Sequence, residues 1–214
     1  MKVTTVIFDL DGLLTDTEKL HCKAYQKTFA EIGFDLREEQ YLEHWVRSGQ
    51  TVHRFVEQHG IPHDSYALRD RKSEIYEQLV EAELRAMPGA LELLERLHGH
   101  KRMALATSSR EDSARCVLRV LGIAHYFEVI ATEGSVERLK PHPDIFLYAA
   151  ERLGVSPAQC VVLEDAEKGI LAAHAAGMKS IAVPTEYTKN NDFSKATMVL
   201  KSLNDVTLER LRGL

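Results

Sequence analysis

The stretch between residues 88 and 184 alternates short apolar segments with longer helical segments, and this alternation limits the possible folds more than any other feature. Segments of about five and about twelve residues in alternation are typical of βαβ units, whose strands form a parallel sheet. The strand segments are apolar throughout, as expected where helices cover both faces of a sheet. We predict these strands at residues 102–107, 127–131, 160–164 and 180–184.

A further strand, KVTTVIF at residues 2–8, is separated from the others by a long helical stretch. Residues 17–87 show helical patterns, with helices predicted from Thr17 to Gly33 and at residues 50–59 and 64–84. We therefore predict an α/β fold with a doubly wound, parallel-sheet (Rossmann-like) core at residues 1–15 and 88–214. An all-helical cap at residues 16–87 is inserted after the first strand.

Composition disfavours several functional classes. The net charge of −5 argues against a nucleic-acid or anionic-membrane binder, which would carry a basic surplus. No apolar run is long enough to span a membrane, and Asp9 and Asp11 interrupt the N-terminal apolar run too early for a signal peptide. Cys22, Cys116 and Cys160 are widely separated and odd in number, which favours reduced thiols and a cytoplasmic location.

Polar residues with chemical potential follow the predicted strands. Ligands of open parallel sheets bind at the carboxyl ends of the strands. Carboxylates, hydroxyls and a lysine gathered there would suit a hard divalent cation with oxygen ligands, most simply Mg²⁺, beside a phosphate group. The residues concerned are Asp9, Asp11, Thr107, Ser108, Ser109, Lys140, Glu164 and Asp165.

Each of these motifs alone also has a structural interpretation. DLDG could be a turn that caps a helix, and Ser109 with Asp112 makes a helix-capping pattern. Lys140 could be a solvated loop lysine, and Glu164 and Asp165 could cap the following helix. The functional interpretation is favoured because all four motifs occupy strand ends in chain order.

The motifs DLDG, LATSS, KPHPDIF and VVLEDAEKGI resemble the four motifs of the haloacid dehalogenase superfamily. The resemblance is greatest to the β-phosphoglucomutase-like phosphatases, which carry a helical cap after the first strand. It implies that Asp9 is a nucleophile forming an aspartyl-phosphate and that Asp11 is the general acid and then the base. It also implies Mg²⁺ held by the Asp9 carboxylate, the Asp11 carbonyl and Asp165, with Glu164 as a further ligand or orienting group.

The same resemblance implies roles for the remaining motif residues. Thr107 and the backbone N–H of Ser108 would bind phosphoryl oxygens, and Lys140 would neutralise charge during transfer. In the cap, Thr17 and His21 resemble a pair that steers the catalytic acid in the mutase branch; a capping threonine and a surface histidine are the alternative.

Cap side chains would select the substrate. Lys72 resembles a cap lysine that reaches substrate, although a solvated helix lysine is the alternative. Candidate substrate-selecting side chains in the cap are Trp45, Arg47, Gln50, His53, Lys72 and Tyr76. The cap histidines, which lack metal-ligand spacing, are interpreted as helix-surface residues: His44, His53, His59 and His63.

One departure from the mutase pattern favours hydrolysis. The sugar-phosphate mutases carry an arginine shortly after the glycine of the segment VRSGQTVH, whereas this chain has Val52 and His53 there and Arg47 before Gly49. We therefore expect an Mg²⁺-dependent phosphatase, acting as a monomer on a small phosphorylated metabolite such as a sugar phosphate or a short acid phosphate. A phosphosugar mutase is the alternative enzyme. A phospho-accepting signalling receiver is disfavoured, because receivers place the phosphorylated aspartate on a middle strand and lack the insert.

Overall fold

A computed structural model describes residues 2–214 and divides the chain into two compact units. Met1–Asp16 together with Arg85–Leu214 form the unit that we call the core, and Thr17–Leu84 form the unit that we call the cap. The helices of the cap are α1 (Glu18–Glu31), α2 (Glu38–Tyr41), α3 (Val52–Gln58) and α4 (Ser65–Glu83). Those of the core are α5 (Ala90–Leu97), α6 (Glu111–Leu121), α7 (Asp144–Leu153), α8 (Glu167–Ala175) and α9 (Leu208–Arg212).

The core contains one six-stranded parallel sheet. Its strands are β1 (Thr5–Phe8), β2 (Arg102–Ala106), β3 (Val129–Ala131), β4 (Cys160–Glu164), β5 (Lys179–Ala182) and β6 (Met198–Val199). The spatial order β3-β2-β1-β4-β5-β6 is that of Rossmann-like folds, in which the direction of winding reverses beside β1. The predicted fold class is confirmed.

Small side chains bring the helices of the core close to the sheet. Ala104 and Ala106 of β2 are fully buried in one cluster with residues of α7 and α8, among them Phe146 and Ala172. The hydrogen-bonded register of β1 with β2 and with β4 sets how far each strand extends along the sheet. The ends of β1, β2 and β4 are therefore presented together at one edge of the sheet.

Two elements near the C-terminus were not predicted. β6 has two residues and α9 has five. Neither element is long enough to show a recognisable hydrophobic pattern in the sequence. A helical pattern needs about eleven residues, and an alternating strand pattern needs about four.

The cap is organised around an aromatic cluster between its helices. Phe29 of α1 and Phe55 of α3 are buried and meet edge to face with ring centroids 5.2 Å apart. Residues Leu42–Arg47 form a π-helical segment whose Trp45 ring lies 4.8 Å from that of Phe55. His44 of this segment is buried, with Nε2 2.8 Å from the carbonyl oxygen of Thr51. The interpretation of His44 as a helix-surface histidine is therefore wrong, because the imidazole belongs to the cluster.

The three cysteines are buried thiols. Among residues 2–214 there is no helix with the length and apolar character that crossing a membrane requires.

Candidate active site

The sheet register brings three residues to the same level at the carboxyl edge. Phe8 of β1 is paired with Leu105 of β2 and with Leu163 of β4. The residues that directly follow these three in the sequence therefore lie side by side: Asp9, Ala106 and Glu164. Asp9 remains tied to the sheet, since its backbone N–H donates to the carbonyl of Leu163 at 3.0 Å.

Lys140 joins these three residues through one ammonium group. Its Nζ donates to Oδ1 of Asp9 at 2.5 Å, to Oε1 of Glu164 at 2.8 Å and to the carbonyl oxygen of Ala106 at 2.9 Å. Only 1% of the lysine side chain is exposed, so its interpretation as a solvated loop residue is wrong. The Phe146 ring, whose centroid is 4.9 Å from Nζ, adds a cation–π contact.

The charges of this group affect the pKa values of Lys140 and Asp9. Burial alone would lower the pKa of Lys140, but the carboxylates of Asp9 and Glu164 raise it above the ordinary value, so the ammonium keeps its charge. Burial raises the pKa of Asp9 to about 7; Lys140 opposes this rise, and the charges of Glu164 and Asp11 add to it. Any additional positive charge nearby would therefore stabilise the ionised form of the Asp9 carboxylate.

Asp11 is held by hydroxyl groups from the segment after β2. Its Oδ2 accepts from Oγ of Ser109 at 2.6 Å and from Oγ1 of Thr107 at 3.2 Å. The backbone N–H of Ser109 donates to Oγ1 of Thr107 at 3.0 Å, which fixes the two hydroxyls relative to each other. The structure therefore brings Asp11 and Thr107 together.

Ser109, predicted among the polar residues at the strand ends but without a role of its own, contacts Asp11; helix capping is its alternative interpretation. The N-cap position of α6 is Arg110, without a capping hydrogen bond from its side chain, so that interpretation is wrong. The signal in the sequence was the spacing: Ser109 lies two positions after Thr107. The hydroxyl of the intervening Ser108 is buried and has no hydrogen-bond partner within residues 2–214.

Asp9, Glu164 and Asp165 form a buried acidic cluster that fits a hard divalent cation. One carboxylate oxygen from each lies within 4.8 Å of the others. If all three groups were ionised, their charge would exceed the single positive charge of Lys140, and buried like charges are unfavourable without further compensation. Their oxygen-only donor set is the kind that Mg²⁺ prefers. Glu164 is also fixed from a second direction, because its Oε2 accepts from the backbone N–H of Ala166 at 2.9 Å.

In the cap, Lys72 and His21 form a partly buried pair. Nζ of Lys72 is 2.7 Å from Nδ1 of His21, and the lysine is 8% exposed. The ring of His21 stacks on Tyr76 with centroids 4.1 Å apart, and Nζ of Lys72 lies 4.6 Å from the Tyr76 centroid and 5.1 Å from that of Tyr25. The alternatives of a solvated lysine and a surface histidine are therefore wrong. Thr17 is fully buried at the start of α1, and its side chain makes no capping hydrogen bond.

The other predicted cap residues lie in more open surroundings. Arg47 is exposed and pairs with Glu43 at 3.0 Å. Gln50 accepts from Nε2 of Gln58 at 3.4 Å, and Nδ1 of His53 is 3.2 Å from Oγ of Ser65. Each of these side chains makes its contact within the cap.

Comparisons with known proteins agree with this geometry. Residues 6–183 match the family model of the haloacid dehalogenase-like hydrolases. The fructose-1-phosphate phosphatase YqaB of Escherichia coli is 34% identical over 180 residues, covering 83% of this chain and 95% of that protein. The β-phosphoglucomutase of Bacillus subtilis is 34% identical over 220 residues, covering 96% and 92%.

A solved structure supports the same relationship. A mutant of CbbY from Rhodobacter sphaeroides, in complex with xylulose-(1,5)bisphosphate, superposes with a TM-score of 0.89 at 29% identity. The match covers 98% of this chain and 99% of that one. The chain belongs to the haloacid dehalogenase-like hydrolases and is an enzyme of that family.

Proposed function

We propose that this enzyme is an Mg²⁺-dependent phosphatase that hydrolyses a small phosphorylated metabolite through an aspartyl-phosphate on Asp9. The observation that carries the proposal is the buried group at the carboxyl edge of the sheet. In that group, Lys140 bridges Asp9 and Glu164 beside Asp165. Two relatives support a sugar phosphate as the substrate class: YqaB is named a fructose-1-phosphate phosphatase, and the CbbY mutant was solved in complex with xylulose-(1,5)bisphosphate.

Asp9 would supply the attacking oxygen. Its carboxylate attacks phosphorus in line with the leaving oxygen, and the resulting aspartyl-phosphate divides hydrolysis into two easier steps. Lys140 holds Oδ1 of this carboxylate and thereby leaves Oδ2 as the oxygen for attack. The ammonium also offsets negative charge as the phosphoryl group moves.

Asp11 would move the proton. As an acid it protonates the leaving oxygen, and as a carboxylate it then takes a proton from the water that attacks the aspartyl-phosphate. The hydroxyls of Ser109 and Thr107 hold Oδ2 of Asp11, so the carboxyl is oriented before substrate binds. Thr107 and the backbone N–H of Ser108 are the proposed donors to phosphoryl oxygens.

The proposed Mg²⁺ would be held by the carboxylates of Asp9 and Asp165 and by the Asp11 carbonyl, with Glu164 as a further ligand or an orienting group. The cation would supply positive charge that lets an anionic nucleophile meet an anionic phosphate.

In the cap, Thr17, His21, Arg47, Gln50 and Lys72 remain the proposed substrate contacts. Lys72 is the best placed of them for anion recognition, because its ammonium is already partly desolvated beside two aromatic rings.

We expect Asp165→Ala to raise the Mg²⁺ concentration needed for half-maximal phosphate release at least about tenfold, because the variant removes a donor from the acidic cluster. The same variant should lose most of the Mg²⁺-dependent rise in Tm, which is measured without substrate. Asp205→Ala, at an exposed acid of the core, is the control and should leave both titrations unchanged. An Asp165→Ala protein with the wild-type titration would remove Asp165 from the ligand set.

A phosphosugar mutase is the second candidate, favoured by the β-phosphoglucomutase relative. A mutase must retain a bisphosphate while this intermediate reorients in the active site. Retention calls for a cationic clamp such as a bidentate arginine. Position 52 is valine and position 53 is histidine, and Arg47 is exposed and paired with Glu43. We therefore favour hydrolysis.

The two candidate enzymes would form different products from β-glucose 1-phosphate in the presence of a catalytic amount of glucose 1,6-bisphosphate. We expect inorganic phosphate to exceed glucose 6-phosphate and to need no bisphosphate activator. The same phosphate assay should be run on fructose 1-phosphate and xylulose 1,5-bisphosphate. Conversion to glucose 6-phosphate faster than phosphate release would establish the mutase and make Arg47 the first clamp residue to test.

A further inference from the structure

Two glycines of the core lie directly against the two acids at the end of β4. A side chain at position 169, in the first half of α8, would overlap Oε1 and Cδ of Glu164 and place its Cβ 2.5 Å from Cγ. A side chain at position 12, in the loop after β1, would overlap Oδ2 of Asp165 and place its Cβ 2.8 Å from Cγ. Each acid is thus bounded by a glycine from a different segment.

The backbone conformation at position 169 does not require a glycine. Its φ lies outside the left-handed region, in contrast to the φ of +84° at Gly12. Glycine inside a helix is unfavourable relative to alanine because it loses more backbone freedom on folding. The atoms nearest to the missing Cβ of Gly169 all belong to the side chain of Glu164, so packing against that carboxylate accounts for the residue.

The position of Glu164 matters to the rest of the site. Its two carboxylate oxygens accept from Nζ of Lys140 and from the backbone N–H of Ala166, and its side chain is 2% exposed. Lys140 in turn donates to Asp9. A methyl group at position 169 would force Glu164 out of this arrangement, and Lys140 would lose one of its two carboxylate partners.

We propose that Gly169 is a positioning residue that fixes the carboxylate of Glu164 and, through Lys140, the orientation of Asp9. The functional part of this inference rests on the proposed function of the site. Gly12 has the equivalent relation to Asp165, but its left-handed φ makes any substitution there strained whatever the space. Gly169 is therefore the position at which the relation can be tested cleanly.

The test is a double-mutant cycle of thermal stability in metal-free protein, with wild type, Gly169→Ala, Glu164→Ala and the double variant. Helix propensity alone would make Gly169→Ala raise Tm by about 2–4 °C. We expect Gly169→Ala to lower Tm in the wild-type background and to leave it unchanged or raised in the Glu164→Ala background. The same loss in both backgrounds would overturn the proposal.

The relation between Gly169 and Glu164 can also be tested if a variant of the cycle fails to fold. If Gly169→Ala does not fold, folding of the double variant would support the proposal. A double variant that fails to fold while Glu164→Ala folds would overturn it. Gly134→Ala is the matched control: because Gly134 lies in open space without a left-handed φ, this variant should keep the wild-type Tm or raise it slightly.

Binding of Mn²⁺, followed by electron paramagnetic resonance, separates positioning from simple destabilisation. We expect Gly169→Ala to bind Mn²⁺ about tenfold more weakly and Gly134→Ala to bind it as wild type does. Unchanged Mn²⁺ affinity in Gly169→Ala would overturn the positioning role. Because neither measurement uses a substrate, wild-type protein that binds no Mn²⁺ counts against the proposed function, while the Tm cycle still decides the relation to Glu164.

Discussion

Asp9→Asn is expected to lower kcat for any phosphate monoester by at least about a thousandfold, because a neutral amide oxygen is a poor nucleophile. The shape of the side chain is conserved, and an amide oxygen can still accept from Nζ of Lys140. The variant also removes one buried charge whose ionised form is disfavoured by burial. We therefore expect a folded protein whose Tm stays close to that of wild type.

The measurement for Asp9→Asn is phosphate release at saturating substrate, together with a thermal melt. Asp205→Asn is the control. It makes the same substitution at a solvent-exposed position of the unit called the core, and it should keep wild-type activity. Residual activity of Asp9→Asn within tenfold of wild type would remove Asp9 from the role of nucleophile.

Lys140→Met is expected to lower both activity and stability strongly. Methionine keeps the length of the side chain but removes the ammonium that joins Asp9 to Glu164. Removing one partner of a buried ion pair costs about 3–5 kcal/mol, because the remaining charges are left buried without compensation. We expect kcat to fall at least about a hundredfold, since Lys140 is the proposed source of positive charge during transfer.

The stability loss of Lys140→Met should depend on pH in a defined direction. Without the ammonium, which opposes the effects of burial and of the Glu164 charge, the pKa of the Asp9 carboxyl rises further in the folded state. The folded state then binds more protons than the unfolded state, so stability falls as pH rises and the deficit shrinks as pH is lowered. Urea denaturation of metal-free protein at several pH values measures this dependence.

A lysine at the opposite edge of the sheet provides the control for Lys140→Met. Lys101 precedes β2, and its Nζ donates to the backbone carbonyl of Val3, which precedes β1. Lys101→Met should leave activity unchanged. If Lys140→Met kept activity within tenfold of wild type, the ammonium would have no part in phosphoryl transfer.

The strand pattern and the positions of the motifs could be predicted from sequence because both depend on local periodicity. Buried strands of a parallel sheet are apolar throughout, and polar residues at their ends stand out against that background. The predicted strand at residues 160–164 coincides with β4, for example, and Glu164 is its last residue.

What the sequence could not reveal depends on contacts between distant residues. Lys140 is 131 positions from Asp9, and nothing in its neighbours signals that its side chain is buried. Ser109 is 98 positions from Asp11, and locally it resembles a helix cap. Gly169 looks unfavourable in its helix until the side chain of Glu164 is placed beside it.

The phosphoenzyme itself tests the account most directly. In Asp11→Asn, loss of the base should slow hydrolysis of the intermediate, while p-nitrophenyl phosphate has a leaving group that needs no proton. We predict that acid-quenched Asp11→Asn, mixed with this ester and Mg²⁺, carries one phosphoryl group on the peptide containing Asp9, as seen by mass spectrometry. Turnover of the ester without any phosphoryl group on that peptide, or with the group on another residue, would contradict the account.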